Sequence, residues 1–178
     1  MKNKIFSLGN YYDLFYDEKD YRLEANYLHN KLIDFKLKGN KILELGCGTG
    51  KHANHLTKFG YKILWIDKSE SMLREALKVK NFECMQGDIR NIQLENKFDC
   101  VISLFHVLSY QISNESLQSV FLTAFNNLKK GGIFLFDFWF APAVIHQKPR
   151  VRIKTISTES NRIYRVAEPE ILIEKNQV

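Results

Sequence analysis

The chain has 178 residues, of which 45% are hydrophobic and 26% charged, a composition typical of one soluble globular domain. This composition excludes a disordered tail, a coiled coil and a collagen-like rod, and no apolar run approaches the roughly 20 residues that would span a bilayer. The net charge is +6, yet no run of five or more like charges occurs, which favours a lysine-rich surface over a nucleic-acid partner.

The first three quarters of the chain alternate between helical and apolar-strand patterns. The spacing of Ala25, Leu28, Leu32 and Phe35 predicts an amphipathic helix over residues 17–36. Short apolar runs predict five strands, at residues 41–45, 63–66, 82–85, 98–104 and 133–138. Because helical patterns separate these strands, we expect an α/β fold with a doubly wound, mostly parallel sheet.

Three more helices are indicated by capping and stop residues. The first follows the first strand and runs to about Phe59, where Gly60 ends it. The second runs from Ser69 through Leu77. The third has Asn114 as its cap and ends at Gly131-Gly132. The inward stripe of the last helix is predicted to comprise Leu117, Val120, Phe121, Ala124, Phe125 and Leu128. Parallel sheets of this kind bind ligands at the carboxyl ends of their strands.

The end of the chain differs in kind from the rest. All three prolines lie in the last quarter, and residues 151–178 alternate apolar and polar side chains around a turn at Ser160-Asn161. We expect two or three antiparallel strands there, with edges that either a second copy of the chain or further sequence must cover. The predicted organisation is a helical cap (1–40), a core (41–147) and an incomplete antiparallel extension (148–178), together forming one structural domain.

A glycine-rich loop follows the first predicted strand and precedes a helix. Its sequence is Gly46-Cys47-Gly48-Thr49-Gly50, where glycines let the backbone approach a ligand and the helix start offers unpaired N–H groups. A dinucleotide fingerprint would need glycine in place of Lys51, and a Walker loop would need glycine at Leu45 and Ser or Thr at His52. Neither phosphate site fits, and an NAD dehydrogenase is disfavoured.

Asp67 ends the second predicted strand, 21 residues after Gly46. A carboxylate at a strand tip beside a glycine loop can accept hydrogen bonds from both hydroxyls of a ribose. The alternative is an aspartate that caps the helix beginning near Ser69. Because strand tip, loop and acid occur together, we favour ribose binding.

These motifs resemble those of class I S-adenosylmethionine-dependent methyltransferases. Glu44 to Gly50 looks like the first motif, Ile66 to Leu73 the second, Gln86 to Ile89 the third and Phe98 to Ser103 the fourth, in family order. The resemblance implies S-adenosylmethionine as cofactor, S-adenosylhomocysteine as product, and no metal. The implied cofactor-binding residues are Glu44, Gly46, Cys47, Gly48, Gly50, Asp67, Lys68, Met72, Gly87, Asp88, Ile89, Ser103, Leu104 and Phe105.

The flanks are similar to those of small-molecule N-methyltransferases, including enzymes that dimethylate nucleotide-linked amino sugars and relatives that act on glycine. Tyr12 to Tyr16 and Lys19 to Tyr21 look like a cap over the cofactor, which implicates Tyr12, Tyr16 and Tyr21. Asp137-Phe138-Trp139 partly matches the end of their fifth strand. The resemblance implies methyl transfer to a small-molecule acceptor, with an amine favoured.

His106 and Tyr110 follow the fourth predicted strand and are the catalytic candidates, as proton acceptor or amine-orienting group. Aromatic rings also suit a sulfonium charge, and Tyr12, Tyr16, Phe105 and Trp139 are candidates for that contact.

Other reactive side chains in the sequence favour no further chemistry. His52 and His55 are spaced like two metal ligands, but no third ligand is apparent, so no metal site is expected. Cys47 is interpreted as a small filler of the loop rather than a nucleophile. The three cysteines show no close pairing or metal spacing, and no apolar leader follows the basic start, which predicts a cytoplasmic protein.

Two alternatives stay open at this point. A nucleic-acid-directed methyltransferase is one, although Ser103 to His106 lacks the N/D-P-P-Y type motif of amino-directed DNA methyltransferases. A non-catalytic cofactor-binding fragment is the other.

Overall fold

The structure is a computed structural model, and it describes residues 9–76, 83–157, 162–175 and 177–178. Leu77, Phe82 and Ser160-Asn161, which the sequence assigned to a helix end, a strand and a turn, lie outside these residues. In the described ranges, none of the helices combines the length and apolarity required to span a bilayer.

Helices and strands alternate along most of the chain. The helices are α1 (Gly9–Phe15), α2 (Tyr21–Asp34), α3 (Lys51–Leu56), α4 (Glu70–Ala76), α5 (Asn114–Asn127) and α6 (Ala141–Gln147). The strands are β1 (Lys41–Leu45), β2 (Lys62–Asp67), β3 (Glu83–Gln86), β4 (Phe98–Ser103), β5 (Leu128–Phe136), β6 (Arg152–Ser157) and β7 (Arg162–Ala167). Short 3₁₀ turns at Thr57–Phe59, Val107–Tyr110 and Ile173–Lys175 complete the described elements. The sequence did not indicate α1, α6 or the turn after β4.

Strands β1 to β5 form one parallel sheet in the order β3-β2-β1-β4-β5. Ile42 in the central strand lies opposite Ile63 on one side and Cys100 on the other. The strand order reverses between β1 and β4, and ligands of open α/β sheets bind beyond the carboxyl ends of the strands at such a point. The predicted doubly wound α/β fold is therefore confirmed.

The buried strands alternate their side chains between two apolar layers. Ile42, Trp65 and Ile102 pack against the layer formed by α2 and α3, whereas Leu43 and Val101 pack against the layer that includes α5. Each such side chain contributes about 1.5–3 kcal/mol when it is fully buried. The sheet is thus a stiff support for the loops at its carboxyl edge.

Helix α2 is shorter than the predicted 17–36 helix. Asp20 is its cap, because the carboxylate accepts the N–H of Leu23 at 2.8 Å, so the helix begins only at Tyr21. After Asp34 the chain turns back and Leu37 packs on the core, while Phe35, which we expected to point inward, is 56% exposed.

Helix α5 differs from the prediction at both ends. Ser113 rather than Asn114 is its cap, since the Ser113 hydroxyl accepts a backbone N–H of the first turn. The helix ends at Asn127 and not at Gly131-Gly132, because the residues from Leu128 onward pair with β4. Backbone pairing with a neighbouring strand overrode the stop signal of the two glycines.

The buried stripe of α5 is also narrower than predicted. Val120 and Ala124 are buried as expected, but Phe121 is partly exposed and Phe125 is 75% exposed. The polar Asn127 is buried instead, because its side-chain amide donates to two backbone carbonyls and its side-chain carbonyl accepts a backbone N–H. Apolar spacing alone does not reveal such a fully bonded polar residue.

Strands β6 and β7 form the predicted antiparallel hairpin, with Ile153 opposite Val166. The third strand expected near Ile171 and Ile173 is absent from the described residues. That segment folds on itself, through a bridge between Leu172 and Gln177 around a 3₁₀ turn.

The two faces of the hairpin differ. On the inner face, the Lys154 ammonium donates to the carbonyl of Phe15 at 2.8 Å and Arg165 donates to the hydroxyl of Tyr16 at 3.0 Å, so the hairpin covers α1. On the outer face, Ile153 and Tyr164 are exposed. Pairing of this face or its edges with a second copy stays a prediction.

Candidate functional site

A cavity of about 1260 Å³ lies at the carboxyl ends of β1 and β4. This exceeds the about 300–1,000 Å³ usual for a single small-molecule site, which leaves room for two ligands. Of the residues predicted to bind the cofactor or to act in catalysis, twelve line it: Tyr12, Tyr16, Tyr21, Gly46, Cys47, Gly48, Asp67, Met72, Leu104, Phe105, His106 and Tyr110. Seven do not: Glu44, Gly50, Lys68, Gly87, Asp88, Ile89 and Ser103. Trp139, a candidate for the sulfonium contact, lines the cavity as well.

Glycine is needed at two positions of the loop after β1, for a different physical reason at each. Gly48 has φ +56° and faces the cavity, where an added Cβ would meet nothing within 4 Å. Gly50 has φ +76°, and a Cβ there would stand 2.2 Å from the ring of Trp65. Gly48 therefore leaves space for a ligand, whereas Gly50 allows the loop to pack on the core.

Asp67 connects the glycine loop to α4. Its Oδ2 accepts the N–H of Gly48 and its Oδ1 accepts the N–H of Ser69, both at 2.8 Å. Burial raises the pKa of Asp67, and these backbone donors oppose that rise. The helix-capping role that we weighed as the alternative belongs to Ser69, whose hydroxyl accepts the N–H of Met72, while Asp67 holds the turn that leads into α4. Each carboxylate oxygen keeps a second lone pair, so ribose binding at the cavity wall is compatible with it and stays a prediction.

Glu44 lies beneath the loop and is only 1% exposed. Burial, together with the negative charge of Asp67, raises the pKa of Glu44 to about 8. Its Oε2 is buried without a hydrogen-bond partner among the described residues. At neutral pH the side chain is therefore mostly protonated, and Asp67 is the acidic group of this pair that carries charge.

Asp88 is held away from the cavity by its neighbours. The Arg90 guanidinium donates to Oδ1 at 2.9 Å, and Lys68 stands 3.5 Å from Oδ2. The hydrogen bonds from Arg90 hold the pKa of Asp88 well below its usual range. The adenine contact implied for Asp88 stays a prediction.

Ser103 and Gly87 support the frame of the site rather than its surface. The Ser103 hydroxyl donates to the carbonyl of Leu45 at 2.9 Å, which ties the carboxyl end of β4 to that of β1. A Cβ at Gly87 would stand 2.4 Å from the end of the Ile92 side chain, so a larger residue there would displace Ile92. These contacts fix the positions of the neighbouring loops.

The predicted tyrosine cap forms an aromatic wall of the cavity. The rings of Tyr12 and Tyr16 lie 4.7 Å apart, and Tyr16 meets Phe105 edge-on at 5.1 Å. Tyr21 packs on His52 at 5.0 Å, and its hydroxyl is buried without a hydrogen-bond partner among the described residues. Burial raises the pKa of Tyr12 and of Tyr21, so both hydroxyls stay protonated.

Two polar contacts fasten this cap to the start of α3. Asp13 accepts a hydrogen bond from the Thr49 hydroxyl at 2.6 Å and pairs with the Lys51 ammonium at 2.9 Å. Glu24 lies 2.6 Å from Nε2 of the buried His52, and this hydrogen bond lowers the pKa of Glu24 to about 2. The cap is therefore joined to the glycine loop and α3 by charged contacts, in addition to lining the cavity with its aromatic rings.

The segment after β4 brings the catalytic candidates to the cavity. Phe105 and His106 adopt the left-handed conformation, with φ +64° and +62°. The His106 ring packs on Trp139 at 5.9 Å, and its Nδ1 lies 3.6 Å from Oδ2 of Asp137. Tyr110 lines the same cavity, and burial raises its pKa. Catalytic roles for His106 and Tyr110 stay predictions.

Sequence reasoning assigned no role to four residues that the structure brings to the site or its edges. Asp137 follows β5 at the carboxyl edge of the sheet, so the argument used for Asp67 could have identified it. Asp13 and Glu24 contact the loop from the cap, and Arg165 reaches the cavity from β7. No spacing in the sequence predicts these three contacts, because each joins distant parts of the chain.

His52 and Cys47 behave as parts of the packed loop. His52 is paired with Glu24, and no group of three or more potential metal ligands occurs within the described ranges. Burial raises the pKa of the Cys47 thiol well above its usual value, so the residue is not a thiolate nucleophile at neutral pH.

Comparison with known proteins places these features in context. A family model described as a methyltransferase domain matches residues 42–132. The chain is 32% identical over 134 residues to the dTDP-3-amino-3,4,6-trideoxy-alpha-D-glucopyranose N,N-dimethyltransferase of Streptomyces venezuelae, covering 74% of this chain and 56% of that protein. It is 26% identical over 146 residues to the dTDP-4-amino-2,3,4,6-tetradeoxy-D-glucose N,N-dimethyltransferase of Saccharopolyspora spinosa, covering 72% and 59%. The chain thus spans less than two thirds of these relatives.

Solved structures are similar as well. The crystal structure of DesVI from Streptomyces venezuelae matches with a TM-score of 0.75 and 29% identity, covering 88% of this chain and 67% of that one. The structure of a sugar N-methyltransferase from Streptoalloteichus matches with a TM-score of 0.81, covering 90% and 66%. At 23% identity, the second match supports the fold alone.

Proposed function

The chain belongs to the S-adenosylmethionine-dependent methyltransferases, and we propose that it transfers a methyl group to an amine nitrogen of a small molecule. When bound, S-adenosylmethionine supplies a methyl group on a positively charged sulfur. The observation that carries the proposal is the open position at Gly48 beside the Asp67 carboxylate, where the strand order reverses. This arrangement fits a nucleoside: the Asp67 carboxylate can accept hydrogen bonds from the ribose hydroxyls, and the absence of a side chain at Gly48 lets the nucleoside lie against the backbone.

The aromatic wall suits a positively charged group. A cation over an aromatic face gains about 0.5–2 kcal/mol, most when water is excluded. The Lys19 ammonium already stands 4.3 Å from the ring centre of Phe105, and the Arg165 guanidinium 5.4 Å from that of Tyr16. Within the described residues no side-chain cation lies over Tyr12 or Trp139. Because Trp139 packs on His106, on the side proposed for the acceptor, we assign the sulfonium contact to Tyr12.

For the acceptor, we propose an amino sugar linked to a nucleoside diphosphate, the class named in the two relatives above. Arg165 and Lys175 line the cavity, and neither forms a salt bridge with a described carboxylate. Basic groups that have no carboxylate partner suit phosphate oxygens, and a guanidinium can donate two hydrogen bonds to such oxygens. The acceptor amine would then point inward, toward His106.

The direct test is methyl transfer from S-adenosylmethionine to dTDP-3-amino-3,4,6-trideoxyglucose, followed by mass spectrometry. We expect products heavier by one or two methyl groups. Glycine and a short RNA serve as competing acceptors. Methylation of the RNA alone would overturn the proposal, and so would cofactor binding without transfer to any amine of a broad panel.

Substituting Arg165 tests the acceptor assignment. We expect Arg165→Met to raise KM for the dTDP-sugar by about 10–100-fold, since a charge-assisted hydrogen bond contributes about 1.5–3 kcal/mol. Affinity for S-adenosylhomocysteine should stay unchanged. Arg162→Met is the matched control, because Arg162 lies on the opposite face of the same strand. An unchanged KM in Arg165→Met would contradict the assignment.

A second prediction concerns the open glycine. Gly48→Ala should cost about 1–2 kcal/mol of folding free energy, as for any non-glycine residue held at positive φ, and should also weaken S-adenosylhomocysteine binding, because the new methyl group enters the cavity. Gly60→Ala is the control, since Gly60 also has positive φ with nothing within 4 Å but lies outside the cavity. Urea unfolding and calorimetric titration of both variants make the comparison; equal ligand affinities would contradict the prediction.

A further inference from the structure

The loop after β4 holds two consecutive residues in an unfavourable backbone conformation. Phe105 and His106 both have positive φ, a region that costs non-glycine residues about 1–3 kcal/mol each. Such a conformation persists only where surrounding contacts impose it. At His106 one such contact is a carboxylate from another strand end, and a second is the N–H of Ser109, which donates to the His106 carbonyl at 3.0 Å.

Asp137 binds the backbone of His106 and faces its ring. Its Oδ1 accepts the backbone N–H of His106 at 2.8 Å, and its Oδ2 lies 3.6 Å from Nδ1 of the ring. The backbone N–H of Asp137 in turn donates to the carbonyl of Ser103 at 3.3 Å, which continues the pairing of β5 with β4. The carboxylate is therefore anchored by the sheet, and the histidine is anchored by the carboxylate.

The two ring nitrogens of His106 have different surroundings. Nδ1 is buried and has no hydrogen-bond partner among the described residues; Oδ2 of Asp137, at 3.6 Å, is the carboxylate oxygen that faces it. The side chain as a whole is 37% exposed and lines the cavity, so the exposed edge is the one away from Nδ1, which carries Nε2. A carboxylate facing Nδ1 favours the tautomer with the proton on that nitrogen and leaves Nε2 as an acceptor.

We propose that Asp137 is a positioning residue that keeps the proton of neutral His106 on Nδ1, so that Nε2 accepts the proton released when the acceptor amine is methylated. This inference rests on the proposed amine methylation. The amine lone pair forms the new N–C bond, the sulfonium C–S bond breaks with its electrons on sulfur, and the nitrogen becomes a protonated alkylammonium. Transfer of that proton to Nε2 gives a neutral amine and an imidazolium beside Asp137.

Other charged groups near this ring do not replace Asp137. Lys19 lies over the neighbouring Phe105 ring, and Arg165 reaches the cavity from β7. Both are cations, so they disfavour an imidazolium. Asp137 is the carboxylate in contact with the ring among the described residues.

The test is the protonation state of His106, read by ¹⁵N NMR of the full chain labelled at histidine, with His106→Gln to assign the signals. We expect neutral His106 in the wild type to carry its proton on Nδ1. In Asp137→Asn we expect the proton to move to Nε2, because an amide replaces the carboxylate that faces Nδ1. Asp13→Asn, which removes a carboxylate from the cap contact instead, should leave the His106 signals unchanged.

A wild-type ring protonated mainly on Nε2 would overturn the proposal, and this measurement needs no variant other than the His106→Gln used for assignment. Unchanged His106 signals in Asp137→Asn would overturn it equally. With the dTDP-amino sugar as acceptor, Asp137→Asn should lower kcat about 100-fold with little change in KM, and adding His106→Gln should cost little more. If the wild type methylates no amine, the proposed function fails while the NMR result still decides the role of Asp137.

Discussion

Asp67→Ala is expected to weaken binding of S-adenosylhomocysteine by about 100-fold or more. Two hydrogen bonds from ribose hydroxyls to a buried carboxylate contribute about 1.5–3 kcal/mol each, and 1.4 kcal/mol corresponds to a factor of ten. The substitution also releases the N–H of Gly48, so the glycine loop loses the contact that holds it beside the ligand. Calorimetric titration of the wild type and the variant measures the loss.

The control must damage the start of α4 without touching the ribose. Ser69→Ala does so, because Ser69 caps α4 and its hydroxyl accepts the N–H of Met72 at 3.4 Å, while the contact between Asp67 and Gly48 stays in place. We expect Ser69→Ala to lose about 1 kcal/mol of folding free energy through the damaged cap, and only Asp67→Ala to lose affinity. Equal affinities in the two variants would contradict ribose binding by Asp67.

Glu44→Gln is expected to remove a pH dependence of stability that the wild type shows above pH 5. A carboxyl group whose pKa is higher in the folded than in the unfolded chain stabilises the fold below the unfolded value, and this contribution is lost as the pH rises toward the folded value. For Glu44 the window runs from 4.5 to about 8. The loss is of the order of 3–5 kcal/mol across this window.

Urea unfolding at pH 5.5 and pH 8.5 tests this expectation. Relative to Glu44→Gln, the wild type should be less stable at the higher pH by a few kcal/mol, because its carboxyl group must then ionise without a hydrogen-bond partner for Oε2. Glu70→Gln is the control: Glu70 is exposed, pairs with Arg74 across one helix turn, and should show no such difference. Parallel pH profiles for all three proteins would contradict the buried, raised pKa of Glu44.

These two acids also explain how one site tolerates neighbouring carboxyl groups. Glu44 is protonated at neutral pH, so its proximity does not oppose ionisation of Asp67. Asp67 then presents a single negative charge, stabilised by two backbone N–H groups, at the cavity wall. Only one of the two adjacent carboxyl groups is ionised because they differ in burial and in hydrogen bonding.

The fold and the ligand-binding edge could be predicted from the sequence because their signals are local. Apolar runs and glycines gave β1, β2 and β4, and Asp67 followed from the rule that parallel strands bring their carboxyl ends to one edge. Predictions failed where a distant partner overrode a local signal. The helix stop at Gly131-Gly132 is an example, since Leu128 already pairs with Phe98 of β4 and the helix ends before the glycines.

What the sequence by itself determined was the order of the strands and helices, the glycine loop and the acid beside it, because each depends on residues close together along the chain. Only the tertiary structure decided which side chains share the cavity. Three hydrogen bonds illustrate this: Thr49 to Asp13, Arg165 to Tyr16, and the backbone of His106 to Asp137. Each joins segments at least 31 residues apart. Such contacts depend on how the elements pack, and no periodicity along the chain records that packing.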